Sequence, residues 1–221
     1  MDADSLAPAL FAIKLGLYGS ALLAAGLGLH ASFGILARSD QAPAMRTAAF
    51  ASFAALLFAA LRLALANAQI GGASAILDPA ALAWTWPALG PSSAATAIGA
   101  AAFAPAWVLR SRLAAGAGAL ALAASFGLTG HIQALESPGL APWAVSLHVL
   151  IAAFWFAGPI TLWPARELEE PALHARVARF SNWATAAVPV LFALGLWLAL
   201  LLAGGWTPLI TTLYGQLLLA K

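Results

Sequence analysis

The chain has 221 residues, 63% of them hydrophobic and 8% charged, with a mean hydropathy of +0.91; soluble domains carry about 25% charged residues, so lipid must be the solvent for much of this one. A net charge of +2 and the lack of a basic patch interleaved with aromatics exclude nucleic acid as a partner. The absence of cysteine excludes disulfides, thiolate nucleophiles and thiolate metal sites, and with Met1 and Met45 the only methionines there is no Met-rich copper path. Any metal must rely on His, carboxylate, carbonyl or water.

The N-terminus, MDADSLAP, has no basic region, and the apolar run after it is longer than a signal-peptide core. It reads as a retained first span. A hydrocarbon core of about 30 Å needs roughly 20 helical residues. Six segments meet that length: 8–36, 44–66, 93–109, 113–135, 142–163 and 182–203. A seventh apolar piece, 213–220, begins before the chain stops. The predicted fold is therefore an all-α, polytopic transmembrane bundle of six full spans plus the start of a seventh, forming a single integral-membrane domain over 1–221. Small residues fill the spans, as in the stretch around Gly116, which suits close helix approach in lipid.

The loops alternate in charge. Arg38 and Arg46 flank the first connection, Arg110 and Arg112 form the third, and Arg166, Arg176 and Arg179 lie in the fifth among Glu167, Glu169 and Glu170. The other loops hold no Lys or Arg, so the positive-inside rule puts the N-terminus in the periplasm and the arginine loops in the cytoplasm. Trp84, Trp86, Trp143 and Trp206 fall near the outer interface and Trp163 and Trp183 near the inner one, as an aromatic belt would. The connection 67–92 is long for a bundle and reads either as a plain connector or as a lid over the outer face.

Two histidines flank the turn Glu136-Ser137-Pro138-Gly139. His131 precedes Pro138 by seven residues and His148 follows Gly139 by nine, which on two continuous helices puts each about 10–13 Å below the turn. Adjacent helices pack about 8–10 Å apart, a spacing that lets two inward imidazoles share one small ion and is tight for a porphyrin held between two axial ligands. A helix–helix hydrogen bond is the plain alternative for either ring. His30, eight residues before Arg38, is either a second station on a path or a structural histidine, and His174 lies among loop charges. Lys14 and Arg62 lie near outer span ends, where both can snorkel; Arg62 can equally hold an anion. No Ser-His-Asp arrangement, G-x-x-x-x-G-K or H-E-x-x-H occurs, so no enzyme is expected.

The stretches LTGHIQ (128–133), LHVLIAAFWFAGPITLW (147–163), ARFS (178–181) and TTLYGQLLLAK (211–221) resemble, in order and spacing, the copper-resistance protein D (CopD) family of bacterial inner-membrane proteins. The matching positions are Gly130-His131, His148, Trp155, Arg179-Phe180-Ser181, Tyr214-Gly215 and Lys221. Phe156-Ala157-Gly158-Pro159 stands where the family has Val-Gly-Gly-Leu, and Leu213 and Gln216 replace a Pro and an Arg. The resemblance covers the last hundred or so residues; the first half agrees only in hydropathy. It implies a multi-pass protein of the bacterial inner membrane that handles or moves a copper ion between periplasm and cytoplasm. His131 and His148 would be the metal ligands and His30 a further station. A periplasmic copper-binding partner of the CopC type is implied beside the membrane lipid, and a homo-oligomer is left open. The family has about eight spans, so this chain reads as a short or truncated form. Two other readings stand beside copper: a b-type haem protein or haem-linked oxidoreductase, and a non-catalytic membrane partner whose histidines only pack helices.

Overall fold

Segments this rich in Ala and Leu form helix wherever glycine, proline or a cap does not stop them. The computed structural model, which describes residues 3–219, is helical throughout, with no strand among those residues. Its helices are α1 (Ala3–Ser32), α2 (Arg38–Gly71), α3 (Pro79–Val108), α4 (Arg112–Gly127), α5 (Ala141–Leu162), α6 (Glu170–Ala203) and the short α7 (Trp206–Thr211) and α8 (Leu213–Leu219).

Each of the six expected spans falls at least in part on one of the first six helices, but among the described residues only four stretches are long and apolar enough to cross a membrane: Leu6–Ser32, Arg38–Gly71, Ala141–Glu167 and Glu170–Ala203. By that measure four of the six expected spans are supported, and α3 and α4 fall short of it. Helix α3 has length but carries Pro87, Pro91 and Pro105 inside it and buries Thr85, Ser92 and Thr96. Helix α4 is a 16-residue piece, about 24 Å long. The seventh apolar piece expected at 213–220 is helical as α8, preceded by the short α7; Ala220 and Lys221 lie outside the described residues.

The long connection 67–92 is neither a loop nor a lid. Helix α2 runs on to Gly71, a 3-10 turn covers Ala73–Ala75, and α3 starts at Pro79 under an Asp78 cap that accepts from the Ala80 amide at 2.9 Å. Buried Asn67 closes this corner: its side chain donates to the Ile76 carbonyl at 3.2 Å and accepts from the Thr85 hydroxyl at 2.5 Å.

Helix α1 is the centre of the bundle, packed against α2, α4 and α5, while α6 leans on α5 at the edge. Backbone contact holds α1 there. A β-carbon on Gly26 would stand 2.1 Å from the Ala153 carbonyl oxygen on α5, and one on Gly28 2.7 Å from the Ala115 carbonyl oxygen on α4. The main core follows the same axis: Ala24, Ala25, Leu27, Met45, Phe103, Leu122, Ala153 and Phe154 are all buried in it. The belt tryptophans Trp84, Trp86, Trp143, Trp163, Trp183 and Trp206 all stand exposed on the outside, where an interface would meet them.

Candidate functional site

The histidine pair does not have the geometry the residue count predicts. Helix α4 ends at Gly127 rather than running to residue 135. Gly127 and Gly130 sit close together, Gly130 takes φ +84°, and the Gln133 side-chain amide donates to the freed Gly127 carbonyl at 2.6 Å. His131 consequently opens a 3-10 turn, His131–Ala134, beyond the helix end. Its ring is exposed, whereas the next side chain, Ile132, is buried against Ala141, Ala144 and Leu198. The expectation of two imidazoles at one depth on continuous helices is therefore corrected: His131 stands at the end of the bundle.

His148 is inside it. It lies seven residues into α5, about 10 Å from the helix start, and is half-buried. It faces α6 at Gly195, where an added β-carbon would come 3.2 Å from the ring's Cε1. Its Nδ1 is buried and makes no hydrogen bond of good geometry, the only such side-chain atom among the described residues, with the Leu191 backbone on α6 near the ring. Buried polar atoms are nearly always paired, so an imidazole nitrogen without a well-formed hydrogen bond between two helices marks a place where a ligand can add.

His30 is fully buried and satisfied on both sides. Its Nε2 lies 3.0 Å from the Phe154 carbonyl oxygen and its Nδ1 2.9 Å from the Thr161 hydroxyl, both on α5. A carbonyl only accepts, so Nε2 carries the proton and Nδ1 accepts from Thr161. The ring meets Phe154 and Phe180 edge-on, at centroid distances of 4.7 and 5.7 Å. Of the three histidines, none is in hydrogen-bonding contact with another, and no group of three or more His, Asp or Glu among the described residues could hold a metal ion. His174 is exposed, as expected, but it lies in the second turn of α6 rather than in a loop.

One buried ion pair escaped the sequence reading. Arg176, counted there among the loop charges, lies in the second turn of α6 and is buried. It pairs with Asp40 in the first turn of α2 and donates to the Thr161 carbonyl at 3.4 Å. A continuous polar line thus runs from Phe154 through His30 and Thr161 to Arg176 and Asp40, joining α1, α5, α6 and α2. The signal in the sequence was spacing: Arg176 and Phe180 are four apart, so on a helix the arginine shares the face that meets His30. Asp40→Asn leaves a buried guanidinium short of its counter-charge. We expect it to destabilise the protein by about 2 kcal/mol, less than a fully buried pair because Asp40 is 38% exposed. Asp40→Glu should recover part of this. Unfolding midpoints in matched micelles measure both, and an unchanged midpoint for Asp40→Asn would mean that the pair is solvated.

Arg62 and Lys14 separate. Lys14 is exposed, as snorkelling requires. Arg62 donates to the Thr129 hydroxyl at 3.1 Å and lines a small polar cavity with Ser92, Thr96 and Ser125.

The motifs that carry the resemblance have physical roles. Arg179 donates to the Gly34 carbonyl at 2.9 Å, tying α6 to the end of α1. Phe180 stacks on Phe154 at 4.9 Å. Gly215 lets α8 sit on α7, since a β-carbon there would meet the Leu209 carbonyl oxygen at 2.3 Å. No curated protein and no solved structure matches the chain. Residues 174–221, which comprise all but the first turn of α6 together with α7 and α8, match the family described as CopD, copper resistance protein D, so this last fifth of the chain is similar to that family.

Proposed function

We propose that this protein binds copper within the membrane and handles it between periplasm and cytoplasm, with His148 as the central ligand. The observation that supports this most is the buried Nδ1 of His148, which lacks a well-formed hydrogen bond and lies against α6, the helix carrying the copper-resistance match. Imidazole suits copper, and copper is here the cargo. His131, exposed at the end of the bundle, is the residue an arriving ion meets first. His30 stands further along, and it can take the ion only by releasing Phe154 or Thr161. The remaining ligands would be carbonyl, water or a partner of the CopC type. In this reading all six long helices cross the bacterial inner membrane, the shorter α4 and proline-bearing α3 being shielded by their neighbours, with the N-terminus periplasmic and the arginine loops cytoplasmic.

Copper content of the purified protein tests the reading. His148→Ala should lose most of the bound copper, His131→Ala should retain the ion but load it more slowly, and neither should alter the elution profile. Equal metal content in the wild type and His148→Ala would sink the proposal. A Soret band that survives purification and vanishes in a histidine variant would favour the haem reading instead.

A further inference from the structure

At the arginine-bearing end of the bundle, Arg38, Gln41, Arg110 and Arg112 line a cavity of about 310 Å³. Three arginines line it together, one from the start of α2 and two from the α3–α4 connection. No carboxylate lines it, and the ion pairs found among the described residues, Arg176–Asp40 and Arg166–Glu167, involve none of the three.

The arrangement is held in place from behind. Gln41 is 6% exposed and its side-chain amide donates to the Arg110 carbonyl at 3.1 Å. The Ser32 hydroxyl donates to the Arg112 carbonyl at 2.9 Å. Arg110 itself takes φ +52°, the one non-glycine residue at positive φ among the described residues. That conformation disfavours a side chain, and keeping arginine where glycine would fit better needs a reason beyond the turn. The backbone is thus fixed at both arginines while both residues are exposed, the Arg112 guanidinium lying beside Gly34.

Large apolar side chains stand directly beside the cationic ones. Val108, Leu109 and Leu113 are all strongly exposed next to Arg110 and Arg112 in the chain. Cation and bare hydrocarbon side by side match a molecule with an anionic head and an apolar tail better than a soluble anion. Guanidinium binds phosphate oxygens in a bidentate fork.

We propose that this cavity binds the phosphate group of an anionic phospholipid, with the acyl chains lying over Val108, Leu109 and Leu113. The arginines replace the phosphate's lost hydration, and the lipid bridges the start of α2 to the α3–α4 connection.

Native mass spectrometry and thermal unfolding of the full chain in micelles test this, with phosphatidylglycerol, phosphatidylcholine and inorganic phosphate as separate probes. Phosphatidylglycerol should stay bound and raise the unfolding midpoint, whereas phosphatidylcholine and inorganic phosphate should do neither. Retention of phosphatidylglycerol should fall about fivefold for each arginine changed to glutamine at 38, 110 and 112. Arg110→Gly guards against a folding artefact: glycine accepts the positive φ, so this variant should be at least as stable as wild type without lipid and still lose about fivefold in retention. Equal retention of the two lipids, or a triple variant that holds phosphatidylglycerol as well as wild type, overturns the proposal. Protection by inorganic phosphate equal to that by phosphatidylglycerol overturns the lipid as the source of the phosphate.

Discussion

His30→Ala should lower the stability of the folded bundle by about 3 kcal/mol, most of it from the cavity left behind rather than from the lost hydrogen bonds. The ring is fully buried between α1, α5 and α6, and edge-on contacts with Phe154 and Phe180 surround it. Interhelical hydrogen bonds inside membranes average about 0.6 kcal/mol, so the two made by His30 supply only about 1 kcal/mol together. The Thr161 hydroxyl can also fall back on the Ala157 and Gly158 carbonyls, 3.2 and 3.1 Å away. Removing the ring volume accounts for the rest. His30→Leu, which fills the space without the polar atoms, should therefore recover more than half the loss. Thermal or detergent unfolding of the three proteins measures this. If His30→Leu is as damaging as His30→Ala, the polar contacts dominate. If both variants keep wild-type stability but lose copper, His30 is a ligand first and a structural residue second.

The class of fold was legible because composition decides it: with so little charge, long apolar runs form helices long and apolar enough to cross a membrane. Helix ends were less legible, and both main corrections lie there. The 67–92 connection looked like a loop because it gathers Asn67, Gln69, Gly71, Gly72, Asp78 and Pro79. Those residues act at a tight corner instead, Gly72 at φ +77°, Asp78 as a cap and Pro79 as the first helical residue. The apolar character of 128–135 hid the end of α4, though Gly127 and Gly130 were visible signs of it. That error moved His131 by two turns and removed the shared depth on which the pairing argument stood. His148 kept its place because α5 begins where the Ser137-Pro138-Gly139 turn predicts. Arg176 was missed for a different reason. A charge run reads as solvated, and only the tertiary approach of α2 to α6 shows that one of its members is buried with Asp40.

Gly26 offers the strongest test of how the site is held. Gly26→Ala should destabilise the bundle by about 3 kcal/mol, at the upper end for overpacking, and Gly26→Leu should prevent native assembly. The reason is where the added carbon falls: 2.1 Å from the Ala153 carbonyl oxygen and 2.6 Å from the Ala157 β-carbon, rigid atoms of α5 that cannot swing aside. Helices α1 and α5 must move apart, and this seam also holds His30 against Phe154 and Thr161. The movement would carry His148 with α5, so copper retention should fall together with stability. Gly19 supplies the control on the same helix. A β-carbon there meets nothing within 4 Å, so Gly19→Ala should be neutral or stabilising by up to about 1 kcal/mol through helix propensity alone. A Gly26→Ala protein as stable as Gly19→Ala would mean that the two helices do not touch at this point. The His30 contacts and the placement of His148 would then need a different account. Loss of stability at Gly26 alone would establish that close backbone contact between α1 and α5 sets the depth and orientation of the histidines on either side of it.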